Sequence, residues 1–266
     1  RAVYFREDLL REIINLLTQS FSRHVLLIGP DGVGKRTLAY SLALLMSEGK
    51  GPKNLKSLVQ IDEAALLDSD QKAVRAGISS AAGGILFIPH IHRFFGGPIR
   101  AEFAKATSLI QKAFLSDDPV IMGTTTETEY QQRIANMSGI AERIHVLKVP
   151  EPTPAEAIEI LNVIRPHLEA DYNLKVADDA VGLAVRPAKR YLGTNPLPRS
   201  AEQLMHRAAA MVAMNNYLSG NLANPFPGTC WRCGAEFECR DYTYAVSAPP
   251  AGSAVRVANH DDQPRV

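Results

Sequence analysis

Apolar residues in the first half of the chain switch repeatedly between two spacings. Between residues 6 and 19, Leu9, Leu10, Ile13, Ile14, Leu16 and Leu17 fall on one broad face at helical spacing, which predicts an amphipathic helix. Residues 25–28 form a short unbroken apolar run, as a buried strand requires, and end in a Gly-rich turn. A second helix is expected from near Lys35 through Leu38, Leu42 and Leu45 to a stop at Gly49. Strands follow at 58–61, 85–88, 120–123 and 144–149, with helices at 71–80 and near 101–115 between them. Short apolar strands alternating with helices imply a parallel sheet covered on both faces, an α/β lobe.

Pro150-Glu151-Pro152 ends this lobe, and the pattern becomes wholly helical. Thr153-Pro154-Ala155-Glu156 is a strong helix start: Thr153 can cap, Pro154 suits the first turn, and Glu156 stands three residues on. Ile158, Leu161, Ile164 and Leu168 continue the stripe, and Pro166 is expected to kink or end the helix. Further helices are expected near 178–186 and 200–217. The organisation read from this is an α/β domain over 1–150, a helical domain over 151–220, a cysteine-containing segment over 221–246 and a disordered tail over 247–266.

At 266 residues the chain is long enough for two lobes with a full core. Hydrophobic content of 46% and charged content of 21% are ordinary for a globular protein. A net charge of +1 gives no electrostatic reason to expect nucleic-acid binding. No apolar run approaches the roughly 18 residues needed to span a membrane. The chain opens at Arg1 without an initiator Met or a signal peptide, so a piece of a longer, cytoplasmic polypeptide is expected.

The first strand runs into Gly29-Pro30-Asp31-Gly32-Val33-Gly34-Lys35, a G-x-x-x-x-G-K pattern followed by a helix. In that setting, backbone N–H groups and the helix N-terminus form a phosphate cradle, and Lys35 reaches the β- and γ-phosphates of ATP or the β-phosphate of ADP. The next position normally offers a hydroxyl to Mg²⁺; here it is Arg36, with Thr37 one step of about 100° further round the helix. Arg36 cannot ligate a metal because a guanidinium has only donors. It either stands near the phosphates as a cation or points to solvent. After the third strand a catalytic site of this type carries an Asp for Mg²⁺ and a Glu for the attacking water. This chain has Pro89 and His90. His90 is a weak candidate for the base.

The order of motifs resembles the first ATPase module of the Clp-type AAA+ unfoldases and disaggregases. Val3–Asp8 is similar to the opening stretch that lines the family's adenine site. Ile85–His92 matches Ile-Leu-Phe-Ile-Asp-Glu-Leu-His except at the acidic pair and one Leu-to-Ile change. Gly123–Tyr130 resembles Gly-Ala-Thr-Thr-x-x-Glu-Tyr, which implies a sensor hydroxyl on Thr126. Ala141-Glu142-Arg143-Ile144 falls where the family has its arginine-finger pair, leaving only Arg143. Arg190-Tyr191-Leu192 and Leu197-Pro198 resemble the lid motif facing the nucleotide, with Arg199-Ser200 in place of its Asp-Lys. The resemblance covers residues 3–217 and implies a P-loop AAA+ α/β domain of five parallel strands, followed by a small helical lid. It also implies partners of the same or a related kind in a ring, and other protein partners, with no membrane or nucleic acid.

The departures cluster where the family does its chemistry. Phe5 stands at a family Gly and either crowds the adenine pocket or packs into the core. No aromatic residue lies between Val59 and Ile85 to act as a substrate-gripping loop, and Phe94-Phe95 either faces a pore or anchors a loop on the core. Cys230-Trp231-Arg232-Cys233-Gly234 resembles half of a zinc ribbon. Cys230, Cys233 and Cys239 would be zinc ligands, with His260, Asp241 or a partner chain as the fourth donor, or are free thiols. Three functions follow. The leading one is a degenerate module that binds nucleotide with little or no hydrolysis and acts as a scaffold or regulatory subunit. The others are an active ATP-driven unfoldase with unusual catalytic residues and a zinc-linked adaptor.

Overall fold

The computed structural model describes residues 6–61, 72–96, 104–116, 118–192 and 195–221. These form helix α1 (Glu7–Thr18), strand β1 (His24–Ile28), α2 (Lys35–Ser47), β2 (Leu58–Gln60), α3 (Lys72–Ser80) and β3 (Ile85–Ile88). A 3₁₀ turn (Ile91–Phe94), α4 (Ala104–Phe114), β4 (Val120–Thr125), α5 (Glu127–Arg133), α6 (Ser138–Ala141) and β5 (Ile144–Lys148) follow. The helices α7 (Pro154–Tyr172), α8 (Asp178–Tyr191) and α9 (Arg199–Asn221) complete the described chain.

The five strands form one sheet in the order β2-β3-β4-β1-β5, and every pairing is parallel. Successive side chains on a strand point to opposite faces, so an unbroken apolar strand must be covered twice. Leu26, Ile28, Leu86, Ile88 and Ile121 pack with Val74, Ile110 and Phe114 on one face. Val25, Leu27, Ile85, Phe87 and Met122 pack with Leu10, Ile13, Leu38 and Leu42 of α1 and α2 on the other. The Phe94-Phe95 pair is fully buried in the first of these clusters, so it anchors the turn after β3 and has no surface to offer a pore.

His24 opens β1 and is 1% exposed. Its Nδ1 accepts the Ile121 N–H at 2.9 Å, which leaves Nε2 as the donor to the Phe114 carbonyl at 3.1 Å. One neutral tautomer thus ties β1 to β4 and to the end of α4.

The capping box at the start of α7 forms as expected. The Glu156 carboxylate accepts from Thr153 N–H at 2.7 Å, and Thr153 Oγ1 accepts from Glu156 N–H at 3.3 Å. Pro166 does not end α7, which continues to Tyr172. Only the backbone bond that Pro166 itself would donate is lost, and the turns on either side supply the rest. The chain packs as two compact units. Among the described residues, one comprises 6–165 with 177–204, and the other 166–176 with 205–221. In the second, His206 Nδ1 lies 3.3 Å from the Tyr172 hydroxyl.

Replacing His24 by Leu keeps the volume apolar but strands the Ile121 N–H and the Phe114 carbonyl. The expected loss is about 2–4 kcal/mol of unfolding free energy in urea titrations. A change inside about 0.5 kcal/mol would show that the two bonds carry no net stability.

Candidate functional site

The loop after β1 is pinned before it can turn. Gly29 N–H donates to the Thr125 carbonyl at 3.3 Å, and a β-carbon on Gly29 would stand 2.3 Å from the Val149 carbonyl oxygen. Gly32 and Gly34 hold φ of 100° and 95°, in the left-handed region where only glycine is unstrained. Gly34 then caps α2 and leaves the first N–H groups of a 13-residue helix directed out of the loop.

Lys35, the first residue of α2, is 7% exposed. Its ammonium donates to the carbonyls of Gly29 at 2.5 Å and Pro30 at 2.8 Å, and to Asp31 Oδ1 at 3.3 Å. Burial holds its pKa below the usual lysine value, with Asp31 working in the opposite direction. Arg36 and Thr37 lie exposed on the same turn. The structure therefore gathers Gly29, Asp31, Gly32, Gly34, Lys35, Arg36 and Thr37 into one cradle, and its chemistry suits a phosphate group.

Strand β3 ends at the same edge of the sheet as this loop, with β4 between it and β1. Pro89 is buried, and His90 takes φ 49° and donates its backbone N–H to Thr124 Oγ1 at 3.1 Å. His92 follows in the 3₁₀ turn with Nδ1 2.9 Å from Thr125 Oγ1, and the two imidazole rings meet edge-on at 5.9 Å. Burial lowers the His92 pKa to about 4; Glu129 opposes this, and His90, Arg133 and Arg93 reinforce it. Thr126, the expected sensor, N-caps α5, its Oγ1 accepting from Glu129 N–H at 3.3 Å. Sequence reasoning missed the hydroxyls of Thr124 and Thr125, which face the two histidines. Three consecutive threonines at a strand's C-terminal end were the available signal.

Arg143 is not part of this cluster. Register pairs His24 with Ile144, so Arg143 precedes β5 at the edge where the parallel strands begin. Lys35 lies at the edge where they end, about 15 Å away along a five-residue strand. Arg199, by contrast, does reach the cradle. Its Cβ and Cδ lie 2.8 Å from where a β-carbon on Gly32 would stand. The reading of Phe5 and of Cys230, Cys233 and Cys239 falls outside the described residues.

The donor set does not fit a divalent metal. Arg36 offers only N–H donors, Pro89 offers no side-chain donor, and His90 stands alone where two carboxylates are needed. Among the described residues no three His, Cys, Asp or Glu side chains are grouped to hold an ion. No helix among them is long and apolar enough to cross a membrane.

The His92 environment gives a pH dependence with a definite sign. The folded state keeps His92 neutral down to about pH 4, whereas the unfolded chain takes up that proton near 6.5. Stability is therefore steady above about pH 6.5 and falls as the pH drops towards about 4. His92→Gln should flatten that fall in denaturant titrations, and an NMR midpoint for His92 at its ordinary value would refute the assignment.

Comparison with known proteins agrees with this architecture. The AAA lid domain family matches residues 153–223. The chain is 30% identical over 221 residues to the chaperone protein ClpB of Rhodopseudomonas palustris, covering 79% of this chain and 25% of that protein. It is 30% identical over 216 residues to ClpB of Aquifex aeolicus, covering 77% and 22%. The chain thus spans about a quarter of the length of these relatives. Among solved structures, the S. cerevisiae Hsp104:casein complex in its extended conformation superposes with a TM-score of 0.68. It is 27% identical and covers 80% of this chain and 38% of that one. The S. cerevisiae Hsp104–ADP complex gives a TM-score of 0.69 at 25% identity, covering 82% and 32%. A five-stranded parallel sheet with its phosphate loop, a matching lid and these relatives together identify the chain as a Clp-type AAA+ module.

Proposed function

We propose that this module binds ATP or ADP, hydrolyses it slowly or not at all, and acts as a scaffold or regulatory subunit alongside other protein chains. The observation that carries the reading is a division at one edge of the sheet. The cradle from Gly29 to Lys35 has a backbone and an ammonium suited to phosphate, while β3, one strand beyond β4 at the same edge, ends in Pro89-His90. Bound nucleotide would be held by Lys35 and by N–H groups of the loop and the start of α2. Hydrolysis of this type uses a carboxylate base and a metal to neutralise developing charge, and the two positions after β3 that would supply them hold Pro89 and His90.

His92 supports the same reading. A half-buried imidazole whose pKa burial lowers to about 4, and which is engaged with Thr125, suits a structural role better than that of a base. His90 is the remaining basic group at the strand end, and a base without a held metal leaves hydrolysis slow. Arg143, at the far edge of the sheet from its own cradle, would act on a neighbouring subunit if it acts at all as an arginine finger. The S. cerevisiae relative Hsp104 was captured with ADP in one structure and with casein in another. Nucleotide is accordingly the ligand to test first, and an unfolded protein the second.

Isothermal titration with ATP should show saturable binding that Lys35→Ala abolishes. Phosphate release should be at least roughly a hundredfold below that of an active relative measured alongside. Steady turnover that vanishes in Lys35→Ala would replace the scaffold reading with an active unfoldase. No binding of either nucleotide would leave the phosphate loop purely structural and favour an adaptor role.

A further inference from the structure

Asp31 sits in the phosphate loop between two residues that fix its backbone. Pro30 before it has a ring-locked φ, and Gly32 after it turns the chain at φ 100°. Held there, its Oδ1 lies 3.3 Å from the Lys35 ammonium, four residues on. The partners differ sharply in exposure: the Lys35 side chain is 7% exposed and that of Asp31 58%. An ammonium has three N–H donors, and the carbonyls of Gly29 and Pro30 and this carboxylate take all of them. Of the three acceptors only Asp31 is charged, and only Asp31 can swing away. The two carbonyls belong to a backbone that Gly29 N–H ties to the Thr125 carbonyl.

Burial pushes the Lys35 pKa down, and Asp31 works against it. A buried ammonium of this kind needs an anion, and in the empty cradle the loop's own carboxylate supplies one. An incoming phosphate group must separate this pair before it gains Lys35. Once bound, it lies beside a carboxylate of its own sign. A unit charge about 5 Å away across water changes a binding constant about fourfold for each charge on the ligand. A pair so exposed adds little to folding, so the weight of Asp31 falls on the ligand.

We infer that Asp31 is a specificity-determining residue of the cradle: it stands in for phosphate on Lys35, and it weakens the binding of nucleotides in proportion to the charge they bring. The inference rests on the nucleotide-binding reading above and adds to it the residue that sets how much ligand charge the site tolerates. A rival role for the same carboxylate has the opposite sign. Asp31 and the Thr37 hydroxyl are oxygen donors at the cradle, and a carboxylate that ligated Mg²⁺ would strengthen the binding of a nucleotide carrying that ion.

The test titrates the full chain with ATP and with ADP in EDTA. Asp31→Asn should bind ATP roughly tenfold and ADP roughly threefold more tightly than the unaltered chain. Asp31→Glu, which keeps the charge, should stay within about twofold of it. Raising NaCl from about 0.05 M to about 0.5 M should shrink the gain, because salt screens exposed charges, and a merely structural effect of the substitution would not follow salt. Asp31 is exposed, and an unchanged thermal midpoint for each variant shows that the fold is kept. Any of three results overturns the inference while leaving nucleotide binding intact. They are Asp31→Asn at unaltered or weaker affinity in EDTA, an equal gain for ATP and ADP, and weaker binding by this variant once Mg²⁺ is added, which would make Asp31 a metal ligand. Binding by Asp31→Asn with the unaltered chain below detection supports the inference. No binding by either chain removes the underlying reading and the inference together.

Discussion

The whole site depends on how the backbone leaves β1. This strand lies between β4 and β5, and register places Ile28 beside Thr125 on one side and Lys148 on the other. Gly29 N–H then bonds the Thr125 carbonyl, and Val149 N–H bonds the Ile28 carbonyl at 2.7 Å. The loop is stitched to both neighbours before its first turn, so its shape is set by the sheet rather than by any ligand. A side chain at Gly29 would push apart two strands, because its nearest obstacle is the Val149 backbone oxygen. Preorganised N–H groups cost a ligand little to use.

The same junction anchors the start of the lid. Arg6 donates to the carbonyls of Val33 in the loop and Pro150 just past β5. Glu151 follows, bonded to Lys189 of α8 at 2.7 Å and to the Leu197 N–H. Burial pushes the Glu151 pKa up, but the bonds from Lys189 and Leu197 outweigh it and leave the carboxylate below its usual range. Of these contacts the exposed Lys189 pair is worth only about 0.2–1 kcal/mol. The N–H bond to a charged oxygen is the stronger, and it is the one that fixes the segment before Arg199. A path of contacts thus runs from Val33 through Arg6, Pro150, Glu151 and Leu197 to Arg199, and back to the loop at Gly32.

Much of this was legible in the residues. The four apolar residues of β3 and the helix start at Lys35 fall where hydrophobic runs and the glycine turn place them, because both follow from local pattern. The Thr153–Glu156 cap is equally local. His24 was not legible: its partners are Phe114 and Ile121, far along the chain, and a His at a strand start carries no signal of them. The short helices α5 and α6 were missed since seven and four residues are too few to show a period. Of the two effects expected of Pro166, ending the helix did not occur, because one missing backbone bond does not stop a helix whose neighbouring turns are intact. At the site, the loop residues could be read from spacing. Spacing alone could not show the contact of Arg199 with Gly32 across more than a hundred and sixty residues, although the resemblance had put that segment facing the nucleotide.

The resting position of Lys35 sets a condition on whatever binds. Its ammonium is already satisfied by two carbonyls and a carboxylate. An incoming anion therefore exchanges hydrogen bonds instead of adding them, and must outcompete neutral oxygens that are held in place by the loop itself. A singly charged ion gains little from that exchange, while a chain of linked phosphates brings enough charge to draw the ammonium away. The loop's own carbonyls act as a threshold, screening ligands by charge density before any side chain reads their shape.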